Sequence, residues 1–375
     1  MSMRIKKTNW TLIFILLMVA VGCRYDVLED DPKQEEIDDF SHTQPYALQI
    51  PPFFPPMDIP SDNPLTVESV NLGRYLFWEK KLSLDNSISC GSCHAPEHNF
   101  SDSNQFSAGV GGTLGNRQSM PLINLGWARF FFWDGRRSTL ETQILDPVEN
   151  PIEMHEDWDN VIDKLAQDTL YPPLFKAAFG TPTITKKRAA KAMASFIRTM
   201  VSAGSKFDKQ RIGQYAFTDE EYRGFVLYTT EGGSPDQVPG GSFGADCFHC
   251  HGFGDMQMTD GLFHNNGLDF HFQADPGRFL ATFNPLDSGK FKTPTLRNIE
   301  FSAPYMHDGR FQTLQEVIEH YNSGGHPSTT IDSFMKFTSG GLQLSATAKN
   351  DLIAFLKCLS DTTYLHNPAY RDPHE

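Results

Sequence analysis

The sequence offers no surface for nucleic acid. Lys and Arg number 32 against 46 Asp and Glu, a formal charge of −14, and no basic tract interleaved with aromatics occurs anywhere, so a phosphate backbone is repelled. Low hydrophobicity coupled to high charge, the signature of disorder, is also missing: the hydrophobic set makes up 39% and charged residues 21%, with 30 Phe. No long run alternates apolar and polar residues with a period of two, so the pattern is mainly α with long, glycine-rich connections. Beyond the N-terminus no apolar run is long enough to cross a bilayer.

What is present begins at the N-terminus. Arg4, Lys6 and Lys7 precede the apolar run Trp10–Val21, which ends in small residues at Gly22-Cys23. That is a secretory signal, and a Cys directly after the small-residue site fits a bacterial lipoprotein with Cys23 as its acylated first residue. Removal of residues 1–22 takes away three positive charges and leaves a mature net charge of −17. The segment 23–60 is acidic and then proline-rich (Ile50-Pro51-Pro52-Phe53-Phe54-Pro55-Pro56), as an extended tether would be.

With 375 residues, the chain has room for two domains. Periodicity predicts helices over Val67–Lys80, over Lys186–Ser202 (Ala189, Met193, Phe196, Ile197, Met200) and over Ser345–Leu359 (Ala348, Leu352, Phe355, Leu356, Leu359), while Gly232–Gly244 reads as a loop. One internal similarity organises the rest. Cys90-Gly-Ser-Cys93-His94 is matched 157 residues later by Cys247-Phe-His-Cys250-His251.

C-x-x-C-H is the attachment signature of c-type haem. Two thiols one helical turn apart add to the two vinyl groups of one porphyrin, and the adjacent imidazole then lies under the iron. A zinc module would place its C-x-x-C halves about 15–20 residues apart, whereas Cys93 and Cys247 are 154 apart. A thioredoxin-like dithiol would need a βαβ context that the pattern lacks. Two covalent haems c follow, in an all-α chain of two cytochrome c-like domains joined by long loops, with boundaries at 61–210 and 211–368. Cys358 reads as a small buried hydrophobe.

Between the motifs, Trp133-Asp134-Gly135-Arg136, Gln143, Pro147 and Glu153-Met154 resemble the bacterial dihaem cytochrome c peroxidase family, which includes the methylamine-utilisation enzyme MauG. The likeness continues through Phe291-Lys292-Thr293-Pro294-Thr295-Leu296-Arg297-Asn298 and Ala303-Pro304-Tyr305-Met306-His307-Asp308-Gly309-Arg310, and spans about residues 65–360. The resemblance implies that Cys90, Cys93 and His94 hold a peroxide-reactive haem whose distal side is lined by Gln143, Pro147 and Glu153. Glu153 would be the general acid/base, since a carboxylate near the iron can move the peroxide proton from the near oxygen to the far one. Trp133 would relay electrons to the haem at Cys247, Cys250 and His251. It also implies a calcium ion between the domains, held by carbonyls at Ser302 and Pro304 and by a side chain at Gln118, beside Asn116.

Two places depart from the usual pattern. Thr313–Asn322 reads as a helix with a Thr313/Glu316 capping box, and Leu314, Val317, Ile318 and Tyr321 share its inner face. Other members carry a ligating Met where Tyr321 stands, whereas MauG carries a Tyr. Tyr321 is therefore the expected sixth ligand of the second haem, with Met306 or Met335 as the alternative. The loop Ser107–Asn116, where many members hold a removable His ligand, has Val110 instead, so the first haem is expected to be open to peroxide without prior reduction.

The expected function is reduction of hydrogen peroxide to water with electrons from a small soluble cytochrome c, in an exported periplasmic protein tethered to the membrane through Cys23. The alternatives are a MauG-like oxidant of a protein or organic substrate, and a dihaem electron carrier without enzymatic activity. The acidic balance favours a basic partner surface.

Overall fold

A computed structural model describes residues 37–233 and 244–374. The signal segment and Cys23 lie outside these residues, as does most of the Gly232–Gly244 loop. Twelve α-helices are described: α1 (Val67–Trp78), α2 (Cys90–Cys93), α3 (Leu140–Glu149), α4 (Trp158–Ala166), α5 (Tyr171–Phe179), α6 (Lys186–Arg198), α7 (Lys206–Arg211), α8 (Asp219–Tyr228), α9 (Phe279–Thr282), α10 (Leu314–Ser323), α11 (Ala346–Lys357) and α12 (Thr362–Leu365). The three long helices expected from periodicity are α1, α6 and α11, although α6 stops at Arg198 rather than Ser202. The only sheet among the described residues is a two-residue antiparallel ladder, β1 (Phe263–His264) with β2 (Phe291–Lys292).

Two hydrophobic clusters form the core. The first gathers Leu72, Leu76 and Phe77 of α1, Phe175 and Phe179 of α5, and Met193 and Phe196 of α6. The second gathers Tyr228 of α8, Ile318 of α10, and Leu352, Phe355 and Cys358 at α11. Each is organised by one crossing of two helices at a glycine. A Cβ on Gly73 would lie 1.9 Å from the Ala192 carbonyl oxygen of α6, and a Cβ on Gly224 the same 1.9 Å from the Asp351 carbonyl oxygen of α11. Only glycine permits backbones to approach so closely. Each glycine faces a phenylalanine one turn further along its partner, Phe196 and Phe355.

Two segments cross between these cores. Tyr364, Leu365 and Tyr370, beyond α11, pack into the first cluster. Phe54, from the proline-rich segment, packs into the second, where its ring lies edge-on to Trp127 at 5.1 Å. The described part of the 23–60 segment is thus extended but is not a free spacer. Asp38 pairs with Arg188 and Lys191, and Trp127 Nε1 donates to the Pro55 carbonyl.

The chain also repeats itself between the cores. A left-handed Asn opens a short 3-10 turn at Asn124 and again at Asn298. A bridge between Phe131 and Arg137 encloses Trp133-Asp134-Gly135-Arg136, and one between Tyr305 and Phe311 encloses His307-Asp308-Gly309-Arg310. Capping threonines, Thr139 and Thr313, then start α3 and α10. Every one of these pairs is 174 residues apart. At the seam the copies exchange hydrogen bonds: Gln118 N–H donates to the His307 carbonyl at 2.8 Å, and Lys292 N–H to the Trp133 carbonyl at 2.7 Å.

Candidate active site

Cys90 and Cys93 lie at the two ends of α2, and Gly91 between them is pressed onto Trp78, where a Cβ would come 2.2 Å from a ring carbon. His94 follows at the C-cap. Its Nδ1 lies 2.8 Å from the Phe100 carbonyl, so Nδ1 carries the proton and Nε2 is left with a free lone pair. Burial keeps this ring neutral by lowering its pKa. Neither thiol is in a disulfide, and burial pushes Cys90 up to about 12 and Cys93 to about 11. Two half-buried thiols outside any disulfide, beside a neutral imidazole with its Nε2 free, suit covalent haem attachment and axial ligation.

The expected distal residues come together around the end of α3. Pro147 sits inside this helix, where it can give no N–H to the Gln143 carbonyl one turn back. The helix ends at Glu149 and the chain turns under it, with Met154 N–H donating to the Pro147 carbonyl at 3.1 Å. This fold-back brings up Glu153, whose carboxylate accepts from the Asn150 amide at 2.6 Å. Burial raises the Glu153 pKa, Asn150 and Arg136 oppose that, and Asp146 adds to it. The carboxylate is close enough to raise both Cys90 and Cys93 by its charge, so it faces the first motif. The loop Ser107–Asn116 lies against the same turn, with Val110 N–H donating to the Glu153 carbonyl at 2.8 Å.

The second motif opens with a 3-10 turn, Cys247–His249, behind the left-handed Asp246. His251 is held through its backbone: its N–H donates to the Cys247 carbonyl at 2.9 Å and its carbonyl accepts the Tyr228 hydroxyl. Its Nδ1 is buried without a hydrogen-bond partner, and burial lowers the ring pKa to about 4. The motif forms one wall of a cleft with about 1550 Å³ of non-protein space, part of it open to solvent. α10 lines the same cleft. Leu314, Val317, Ile318 and Tyr321 all line the cleft, the face that periodicity predicted. Met306 and Met335 line it too. Asn266 donates to the Tyr321 hydroxyl at 3.2 Å and lies 3.5 Å from the Met306 sulphur. Burial pushes the Tyr321 phenol up to about 12, and the Asn266 donor works against that.

Trp133 stands between the two sites. It lines the second cleft, its ring is edge-on to His307 at 6.5 Å, and its Nε1 donates to the Gln118 carbonyl at 2.7 Å. The Gln118 amide in turn donates to the Asp102 carbonyl, and the Asp102 carboxylate accepts from the Ser107 hydroxyl, which lies close enough to Cys93 of the first motif to lower its pKa against burial. Of the residues expected at a calcium site, Ser302 and Gln118 have their side chains hydrogen-bonded within the protein. The Ser302 hydroxyl accepts from Asn99 at 3.0 Å, and Gln118 is bonded to Ser101 and Asp102. Among the described residues, the one His/Cys/Asp/Glu cluster at metal spacing is Glu231, Asp246 and His249, which includes neither Ser302 nor Pro304 and already pairs with Lys336.

Three cleft residues escaped the sequence reading. Asn266 gave no signal, because it falls in a glycine-rich connection. Lys292 stood inside a recognised motif without a role; its ammonium is buried with the Phe130 carbonyl at 3.0 Å as partner, and burial lowers its pKa to about 8. His264 belongs to no motif in the sequence. Its two ring nitrogens face Asp260 and Asp332, which outweigh the opposing effect of burial and, with Cys250, raise it to about 11.

Residues 67–216 match the di-haem cytochrome c peroxidase family. The chain is 35% identical over 302 residues to the methylamine utilization protein MauG of Methylorubrum extorquens, covering 80% of each chain. It is 34% identical over 324 residues to the cytochrome-c peroxidase IdrP1 of a Pseudomonas species, covering 82% of this chain and 84% of the relative. Among solved structures, a MauG-like protein associated with microbial copper homeostasis superimposes with a TM-score of 0.79 at 32% identity, over 88% of this chain and all of that one. The diheme peroxidase BthA of Burkholderia thailandensis shares the fold, with a TM-score of 0.67 at 20% identity over 82% of this chain and 90% of its own.

Proposed function

The chain belongs to the di-haem cytochrome c peroxidase family, which includes the MauG proteins, and on that premise we propose that it is a peroxide-consuming dihaem oxidoreductase whose electrons come from a protein or organic substrate. The observation that carries the choice of donor is the Tyr321 phenol, which lines the second cleft from α10. A phenolate ligand favours the oxidised state of a haem and suits it poorly to collecting electrons from a cytochrome.

When bound, a haem c at each motif supplies an iron that takes peroxide at the first site and exchanges single electrons at the second. The protein's own share is proton handling and positioning. His94 and His251 are the proximal bases, each kept neutral by burial. Glu153 takes the proton from the near oxygen of hydrogen peroxide and returns it to the far one, which leaves as water. Gln143 orients the peroxide, and Pro147 offers no ligand atom that would close the site. Two electrons and two protons complete the conversion of one peroxide to two waters, with Trp133 on the route between the sites.

A second reading, reduction of peroxide at the expense of a small cytochrome c, is favoured by Met306, which reaches the same cleft and would make an electron-accepting site if it ligated. The two readings separate by stopped-flow spectroscopy with one equivalent of hydrogen peroxide, followed by steady-state assay with reduced cytochrome c. Fast reaction with little cytochrome turnover is expected. Rapid turnover would establish the second reading, and two haems indifferent to peroxide would leave an electron carrier.

Two domains at 61–210 and 211–368, export, a lipid anchor at Cys23 and a calcium ion near Ser302 and Pro304 complete the proposal. Export is supported by the basic and apolar N-terminus and by the c-type motifs. No helix among the described residues is long and apolar enough to cross a membrane.

A further inference from the structure

We infer that Asn266 is a positioning residue for the second site: one amide hydrogen donated to Tyr321 Oη and the other directed at Met306 Sδ hold the phenol oxygen at the coordinating position and keep the thioether from replacing it. This rests on Tyr321 being the ligand and adds what selects it over the methionine in the same cleft.

The amide nitrogen lies 3.2 Å from the phenol oxygen and 3.5 Å from the sulphur. A primary amide has two N–H groups, so both contacts can be made at once. Donation to an oxygen that takes on negative charge strengthens as that charge grows, whereas donation to a neutral sulphur stays weak. That difference favours oxygen.

Asn266 is also firmly placed. Its carbonyl lies 3.0 Å from His320 Nε2 on α10, the helix that carries Tyr321. The neighbouring Asn265 binds Ser328 and Thr330 through its amide, and its backbone carbonyl accepts from Asp332. Donor and ligand are therefore fixed to one another rather than to separate parts of the fold.

The internal repeat supplies a comparison. In the first half Pro147 corresponds to Tyr321 and Phe132 to Met306, and neither has a side-chain acceptor. The connection from the haem motif to the left-handed Asn is 17 residues longer in the second half, and it is this longer connection that carries Asn266. The donor is present in the half that has acceptors for it.

The test uses the holoprotein with Asn266→Leu and Asn266→Asp, compared with Tyr321→Phe and Met306→Leu, and reads the visible and EPR spectra of the oxidised second haem and its midpoint potential. Asn266→Leu is expected to introduce a thioether-ligated population with a higher potential, and adding Met306→Leu is expected to abolish it. Asn266→Asp keeps the shape but turns a donor into an acceptor, so it gives the same result if the leucine variant does not assemble. Spectra and potential equal to the parent's in the Asn266 variants, while Tyr321→Phe differs, would overturn the inference. A Tyr321→Phe spectrum equal to the parent's would instead remove the ligand assignment beneath it.

Discussion

Pro147 and Tyr321 stand at the same turn of equivalent helices, each the eighth residue of a helix that starts behind a capping threonine. The turns before the two helices are equivalent as well, with Trp133 in one and His307 in the other, and Phe132 and Met306 both have positive φ. One architecture thus carries, at equivalent positions of its two halves, a ring that cannot bind a metal and a phenol that can.

Replacement of Tyr321 by Phe should therefore alter the second haem alone. The phenolate charge-transfer absorption is expected to disappear, and the potential of that haem to rise by on the order of 0.1 V, within the roughly 0.8 V range that axial ligands span. The reaction of the first haem with peroxide is expected to continue. Redox titration followed in the visible range checks this, and an unchanged second-haem potential would rule the phenol out as ligand.

Glu153→Gln should slow the reaction with peroxide by about 10²–10⁴-fold, the usual contribution of a positioned acid/base. The pH dependence has a definite sign. The carboxylate must be ionised to accept the peroxide proton, and burial raises its pKa from 4.5. The parent's rate should fall as pH drops through a value above 4.5, and this limb should vanish in the variant. Stopped-flow rates between pH 4 and 8 test both points; a limb that survives in Glu153→Gln assigns the proton transfer to another group.

How much of this could be read from the sequence depended on how local each signal was. The C-x-x-C-H motifs and the Thr313/Glu316 capping box are contained within a few residues, and the inward face of α10 follows from its period. The helix crossings at Gly73 and Gly224 carry no such mark, because what requires glycine is a carbonyl more than 100 residues away. The segment before Pro60 looked like a tether since its composition suits an extended chain, but Phe54 is buried against Trp127 and Arg297, partners that no local pattern announces. α4, α5 and α8 were missed because they are only 9, 9 and 10 residues long, too short for a 3.6-residue period to stand out. Asn266 was beyond reach for the same reason as the glycines: its partners lie 40 and 55 residues away.

Trp133→Phe keeps an aromatic ring in the seam but removes the indole N–H that binds the Gln118 carbonyl at 2.7 Å. A loss of about 0.5–1.5 kcal/mol in stability is expected from that bond. The peroxide reaction at the first haem should persist, while oxidation of the external donor should fall by roughly tenfold or more, about 1.4 kcal/mol on the barrier. Single-turnover mixing that follows each haem separately distinguishes this from a general loss of fold. Equal donor oxidation in parent and variant would place the electron route elsewhere.

Glu221 ties the second core together at its helix start, and its charge makes part of the stability pH-dependent. It accepts from Lys206 at 2.8 Å, from the Tyr215 hydroxyl at 2.8 Å and from the Thr218 N–H at 2.9 Å. Burial alone would raise its pKa, but these donors outweigh burial and hold it at about 2, against 4.5 for an ordinary Glu. Because the folded pKa is depressed, the stabilisation is present above about pH 4.5 and is lost as pH falls from there towards 2. At neutral pH it amounts to about 3 kcal/mol. Glu221→Gln should lower the unfolding free energy by that amount at pH 7, measured with denaturant on the holoprotein, and the two proteins should converge near pH 2–3. A difference that stayed constant down to pH 3 would mean that packing of the side chain, rather than its charge, is what stabilises this end of α8.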